Sequence, residues 1–212
     1  MARVAVVVQA RSGSTRLPKK WSRKIGDSDV IGMVHKACMD AKVGPAVMAI
    51  PEGDELGAVM RERKWLYVEG SEDDVLGRMI VAADAANADH IVRITADCPL
   101  SSSGLIRSAV REHVSMGCAF TTNVKPPSRA PDGLDIEVIC VGLLRRLHSD
   151  ALSARRKDWM EHVTLELYEL WDKFALTFLM HAIEWTLPMG EQYSLDTEED
   201  LERIRAHVAR KG

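Results

Sequence analysis

Short apolar runs and amphipathic stretches alternate along this chain. Val4–Ala10 (VAVVVQA) is continuous and β-branched, the pattern of a strand buried on both faces. Similar runs are Ala46–Ile50, Leu66–Val68, His90–Thr95, Ala119–Thr122, Leu134–Val141 and Ala175–Met180. Between them, spacings of three and four residues predict helices. Val34, Cys38 and Ala41 share one face, as do Val75, Met79, Ala83 and Ala86, and Leu105, Ala109, Val110 and Val114. Trp159, Val163, Leu167, Leu170 and Trp171 form the longest apolar stripe, and Leu201, Ile204 and Val208 mark a C-terminal helix. Strand–helix alternation of this kind predicts a mostly parallel sheet with helices on both faces, a three-layer α/β/α arrangement. Lys125–Asp132 (KPPSRAPD) holds three of the eight prolines and reads as non-helical. Strand-like runs flank it, which predicts a small antiparallel excursion there.

Composition narrows the class. A chain of 212 residues with 46% apolar and 28% charged side chains has a full core and reads as one domain over 1–212. A net charge of −3 lacks the basicity of a protein that coats nucleic acid. No apolar run approaches a membrane span, and Val4–Val8 is too short for a secretory core, so no membrane partner is expected. Cys38, Cys98, Cys118 and Cys140 form no Cys-x-x-Cys pair; they read as reduced thiols in a cytoplasmic protein.

The candidate chemistry starts where the first strand ends. Arg11–Lys20 carries one glycine, three hydroxyls and four cationic side chains. Small residues free backbone N–H groups to face an anion, and Arg and Lys neutralise phosphate. Ligands of open α/β sheets bind at this edge. The loop is neither a Walker A nor a Gly-x-Gly-x-x-Gly sequence, and a basic surface loop is the competing reading. Asp97 should cap the tip of the His90–Thr95 strand, since Pro99 ends it. A carboxylate facing a basic loop suits a divalent metal that also holds phosphate, though a turn aspartate is the ordinary alternative. Asp196 precedes the last helix and is either an N-cap or a ligand; Thr197 with Asp200 has capping-box spacing and could leave it free. Ser71 and Asp74 have the same spacing, and capping is the expected role for Ser71–Asp74; Arg78 is a candidate phosphate contact. Asp135 and Glu137 alternate on a predicted strand and so share a face, which alternation alone makes the solvent face. Glu161 and His162 should start a helix, with packing and capping as their expected roles and a metal or base role as the alternative.

The segment Arg11-Ser12-Gly13-Ser14-Thr15-Arg16-Leu17-Pro18-x-Lys20 resembles the signature of the CTP-dependent cytidylyltransferases, which include the 3-deoxy-manno-octulosonate and acylneuraminate types, and above all their spore-coat-polysaccharide-like branch. Gly70–Leu76, Arg93–Leu100, Asp132–Val138, Glu161–Thr164 and Leu195–Leu201 match that branch in the same order. The branch usually has Gly at Lys19, a more apolar stretch at Trp21–Asp29 and an Ile-Asp-Pro run at Ser101–Ser103; Thr95 stands where octulosonate enzymes carry a Gln.

This resemblance implies a nucleotide-diphospho-sugar transferase type of fold. It also implies Mg²⁺-dependent transfer of CMP from CTP to a sugar acid, phosphonate or phosphate, with release of pyrophosphate. Asp97 and Asp196 are then the metal ligands, and Arg11, Lys20 and Asp97 the catalytic residues. Gln9, Ala10, Arg11, Ser12, Gly13, Ser14, Arg16, Lys20, Thr95 and Ala96 would bind the nucleotide. Arg93, Asp135 and Glu137 would border the acceptor, and a homodimer is expected. The rivals are a glycosyltransferase of the same fold and a non-catalytic nucleotide-binding module. The glycosyltransferase needs an Asp-x-Asp after a strand, and Asp27-Ser28-Asp29 has no strand before it in this reading.

Overall fold

The computed structural model describes residues 2–124, 130–171, 180–182 and 192–210, the backbone alone for 180–182. Its main sheet contains β1 (Val4–Gln9), β4 (Ala46–Pro51), β5 (Tyr67–Gly70), β6 (His90–Thr95), β7 (Phe120–Thr122), β8 (Glu137–Cys140) and β9 (Met180–Ala182), in the order β5-β4-β1-β6-β8-β7-β9. A hairpin of β2 (Lys24–Ile25) and β3 (Ser28–Asp29) stands apart. The helices are α1 (Val30–Ala41), α2 (Leu56–Arg63), α3 (Val75–Ala85), α4 (Ser103–Met116), α5 (Val141–Ala154), α6 (Lys157–Glu161), α7 (Leu165–Glu169) and α8 (Glu198–Ala209).

β1 pairs in parallel with β4 on one side and β6 on the other. The chain therefore runs outward through β4 and β5, then returns across β1 to β6, and the strand order reverses between β1 and β6. Alternation along β1 feeds two layers. Val4, Val6 and Val8 pack with Ile31, Val34 and Cys38 of α1, Leu56 and Met60 of α2, and Ile106 and Ala109 of α4. Val7 packs with Val75, Leu76 and Met79 of α3 and Leu143, Leu144 and Leu147 of α5. This is the expected three-layer arrangement, and burial of each such side chain is worth about 1.5–3 kcal/mol. β8 lies antiparallel to both β6 and β7, which is the expected excursion. Residues 125–129 of the proline-rich stretch, and the Ala175–Met180 run except Met180, lie outside the described residues.

A third apolar cluster bears directly on function. Leu17, Ile25, Val30, Leu195, Leu201 and Ile204 are all buried together. Leu17 sits among the cations of the basic loop and is 3% exposed. Its burial against α8 draws that loop onto the segment that carries Asp196.

Several expectations are corrected. The Leu134–Val141 run is a strand only from Glu137, and Val141 opens α5. The Asn123 side-chain amide donates to the Leu134 carbonyl (2.8 Å) and accepts from the Ile136 N–H (2.7 Å), so a side chain takes the groups a ladder would use. The Trp159–Trp171 stripe is two short helices broken around His162–Thr164, and Glu161 and His162 end α6 rather than start a helix. At the N-terminus of α3 the cap is Asp74, which accepts from the Gly77 N–H (2.7 Å); Ser71 instead offers its carbonyl to Arg78. A strand, β3, does run into Asp29, but that carboxylate caps α1 through Gly32 (2.9 Å) and pairs with Arg63 (2.5 Å). Burial opposes its charge, yet the Arg63 and Gly32 hydrogen bonds hold its pKa below the ordinary value. All four cysteines are free. No helix among the described residues is long and apolar enough to cross a membrane.

At the end of β6 remote from Asp97, His113 is fully buried, with Nδ1 2.9 Å from Thr121 Oγ1 and Nε2 2.9 Å from His90 Nδ1. Burial, then the neighbouring His90, pushes its pKa from 6.5 down to about 4. Below the unfolded value the unfolded chain takes up a proton that the folded chain refuses. Stability should therefore fall by up to about 3 kcal/mol as pH drops from 6.5 to 4. Denaturant titrations should show this slope reduced by about one proton in His113→Gln; an unchanged slope would remove the histidine from this role.

Candidate active site

A cleft of about 280 Å³ opens at the C-terminal ends of β1 and β6, where the strand order reverses. Gln9 and Ala10 line it from β1, and Thr95, Ala96 and Asp97 from β6. The basic loop contributes Arg11, Arg16 and Lys20, and the segment before α8 contributes Asp196. Trp21, Val75, Arg78, Glu161 and His162 complete the wall.

The ionic centre of this cleft is Lys20. Its Nζ lies 2.7 Å from Asp97 Oδ2 and 3.5 Å from Asp196 Oδ1, and donates to the Leu195 carbonyl at 3.4 Å. Arg16 adds a second cation to Asp196 at 3.0 Å. Burial pushes the Asp97 carboxyl up, but the charge and hydrogen bond of Lys20 outweigh it and hold the group below the ordinary carboxylate range. The two aspartates come from segments 99 residues apart and are tied through the backbone: the Leu195 N–H donates to the Asp97 carbonyl at 2.8 Å. Two carboxylates thus converge on one cation position.

Local structure explains why Asp196 is available. Thr197 is the N-cap of α8, and it forms a reciprocal capping box with Asp200. Asp200 also accepts from the Asp196 N–H at 3.0 Å. The cap is thus satisfied without the Asp196 carboxylate, which faces Arg16 and Lys20. Gly133 supports the same segment from behind. It has φ +90°, and a Cβ there would meet the Tyr193 carbonyl carbon and Ser194 nitrogen at 2.2 Å. Only glycine allows that approach.

The glycine-bearing loop departs from expectation. Ser12 donates its N–H (2.9 Å) and Oγ–H (3.1 Å) to Asp54, whose other oxygen accepts from the Leu56 N–H at the start of α2 (2.8 Å). Ser14 Oγ accepts from the Leu17 N–H at 3.3 Å. Ser12, Gly13 and Ser14 are absent from the cleft wall, and the Ala10 N–H is bonded to the Ala49 carbonyl (3.1 Å). These hydroxyls and amides shape the loop, and its side-chain cations are what reach the cleft. Lys19, where the branch usually has glycine, adopts φ 52°, a conformation glycine takes without steric cost.

Arg93, Asp135 and Glu137 also lie off the cleft wall. Glu137 is 3% exposed, so the solvent-face expectation is overturned. Its Oε2 meets Arg93 Nη1 at 2.6 Å, and its Oε1 accepts from Thr164 Oγ1 (2.9 Å) and from the Tyr168 hydroxyl. Asp135 precedes the strand, so the two carboxylates do not alternate on one ladder. Burial first, then the charges of Asp132 and Glu137, push its carboxyl up to about 7.

Trp21 carries no sequence signal, whereas Arg78, the candidate phosphate contact, does line the cleft. Trp21 has its Nε1 buried without a partner among the described residues. Arg78 is 3% exposed and donates to the Glu72 carbonyl at 2.9 Å, while its Nε finds no partner among the described residues. Its stem crosses over Gly70, where a Cβ would approach Arg78 Cγ to 2.9 Å.

Known proteins share this architecture. The family described as Cytidylyltransferase matches residues 5–129. Spore coat polysaccharide biosynthesis protein SpsF of Bacillus subtilis (strain 168) is 27% identical over 99% of this chain and 88% of its own. The 3-deoxy-manno-octulosonate cytidylyltransferase of Methylorubrum populi is 26% identical over 95% of this chain and 83% of its own. Among solved structures, a cytidylyltransferase from Leptospira borgpetersenii serovar Hardjo-bovis superposes with a TM-score of 0.88 at 25% identity, covering 99% of this chain and 88% of that one. A CMP:2-keto-3-deoxy-manno-octonic acid synthetase solved with CTP has a TM-score of 0.74 at 16% identity, covers both chains fully and supports the fold. With a family match across more than half its length and a matching fold throughout, the chain belongs to the cytidylyltransferases.

Proposed function

We propose that this enzyme transfers CMP from CTP to a small anionic acceptor of the sugar-acid, phosphonate or phosphate class, with Mg²⁺ held by Asp97 and Asp196. The observation that carries the reading is the convergence of both carboxylates on the single cation position now taken by Lys20 Nζ. Two hard oxygen donors suit Mg²⁺, which takes one or two carboxylates and completes its shell with phosphate oxygens and water. The metal these carboxylates would hold supplies charge neutralisation at the phosphates.

The chain's own residues do the rest. Arg11, Arg16, Lys20 and Arg78 line one cleft, and the Arg11 charge is among the causes that lower the Arg78 pKa, after burial. An anion between these two guanidiniums relieves their repulsion, which favours a phosphate there. The reaction needs in-line positioning of the acceptor oxygen on the α-phosphorus and stabilisation of the departing pyrophosphate. Fixed cations at the cleft supply both. The sugar-acid member of this acceptor class draws support from the octulosonate cytidylyltransferases among the relatives.

Lys20→Ala should weaken CTP binding about 10–150-fold, and CMP binding far less, because a charge-assisted contact to the outer phosphates is lost. Calorimetry with both nucleotides in Mg²⁺ checks this, and equal losses would remove Lys20 from the triphosphate. The reading as a whole is tested by pyrophosphate release from CTP, UTP, ATP and GTP against panels of sugar acids, sugar phosphates and phosphonates. Release with CTP and one acceptor class is expected; release only with another nucleotide, or with none, contradicts it.

A further inference from the structure

A hydrogen-bonded polar row crosses the face of the sheet beneath α3, α5 and α7. It begins at Gln9 on β1, passes through Arg93 on β6 to its direct cross-strand partner Glu137 on β8, and ends at Thr164, the N-cap of α7, and at Tyr168 within that helix. Arg93 Nε donates to Gln9 Oε1 at 2.9 Å, and Arg93 Nη1 meets Glu137 Oε2 at 2.6 Å. A buried ion pair is poor evidence of stability, because apolar residues of similar volume do as well. The position of this pair suggests another use. Gln9 is the one member of the row that reaches the cleft.

The chemistry of the row leaves Gln9 one orientation. A guanidinium only donates, so the amide oxygen of Gln9 must face Arg93 and its NH₂ must face away. Among the described residues that NH₂ has no protein partner, so the cleft receives a fixed pair of donors and no acceptor from this side chain. Cytosine presents two adjacent acceptors, O2 and N3, whereas uracil places an N3–H donor between two carbonyls. Donor against donor is a mismatch, and a site built around one hydrogen-bond pattern rejects the other strongly.

We infer that Gln9 reads the N3 and O2 edge of the base and thereby selects cytosine over uracil, and that Arg93 and Glu137 are positioning residues that lock its amide. This rests on the cytidylyl reading above, and it moves Arg93 and Glu137 from the acceptor to the base.

The test is the ratio of UTP to CTP dissociation constants, measured by calorimetry in Mg²⁺ with circular dichroism as the folding control. Gln9→Glu keeps the shape and still accepts from Arg93, but presents an acceptor to the base; its ratio should fall by at least about tenfold. Gln9→Leu should lose affinity for CTP and little for UTP. The double variant Arg93→Gln, Glu137→Gln keeps a neutral, hydrogen-bonding pair, but an amide at 93 can donate or accept. Gln9 is then free to turn, and the ratio should fall about tenfold although Gln9 is unchanged. A purely structural tie would weaken both nucleotides together and leave the ratio intact. Wild-type preference for CTP with the ratio retained in all three variants overturns this inference alone; a wild type that binds UTP as tightly as CTP overturns the cytidylyl reading with it.

Discussion

Asp97→Asn should lower turnover at least about 10³-fold while the protein remains folded. The substitution keeps the size and one carbonyl oxygen, but removes the anion that a hard cation requires. Loss of a metal's charge stabilisation amounts to several kcal/mol, and about 4 kcal/mol corresponds to that factor. The fold should tolerate the change. Asp97 is partly exposed, its side chain contacts the flexible end of Lys20, and Lys20 keeps Asp196 as a partner. The pair is 18% and 28% exposed, so its loss costs more than the ~1 kcal/mol or less of a surface pair, but the Asp196 carboxylate keeps Lys20 from being left uncompensated. Initial rates against Mg²⁺ concentration, with thermal melts as control, check both parts. A rate and metal dependence close to wild type would remove Asp97 from the metal.

Asp196→Asn should produce a similar loss of turnover with an almost unchanged melting temperature. The structure gives this variant its force. Thr197 is the N-cap of α8 and Asp200 completes the capping box, so helix stability does not depend on the Asp196 carboxylate. A change in rate therefore reports on the cleft and not on the cap. If Asp196→Asn is silent in the same assay, Asp196 is removed from the metal, and Asp97 and Glu161 are the carboxylates left on the described cleft wall.

The sequence carried the frame of this site because local pattern and tertiary position coincide there. Val4–Gln9 and His90–Thr95 are continuous apolar runs, and such runs become central parallel strands whose C-terminal ends define the cleft. Asp97 follows one of those ends directly. Thr197 and Asp200 announce their capping box by spacing alone, and Asp196 was left free as that spacing allowed. The cations of the basic loop were legible as charge.

What stayed hidden depends on partners distant in the chain. Ser12 looked like an anion cradle until Asp54, 42 residues on, took its N–H and hydroxyl. Glu137 looked solvent-facing, because period-two alternation cannot say that Arg93, Thr164 and Tyr168 would meet on its side of the sheet. The α5 helix was readable in principle, since Leu143, Leu144, Leu147 and Ala151 follow helical spacing, but Val141 at its start blends into the preceding strand. Trp21 enters the cleft through a crossing that no local pattern encodes.

The fate of the two ends of CTP tests the account most directly. The enzyme is given CTP labelled at the α-phosphorus or, separately, at the γ-phosphorus, with Mg²⁺ and the acceptor panel, and the products are separated. The account predicts that α-label appears in the acceptor together with cytidine, and γ-label in pyrophosphate. Transfer of γ-label to the acceptor, or retention of both labels in CTP with every acceptor, would contradict it.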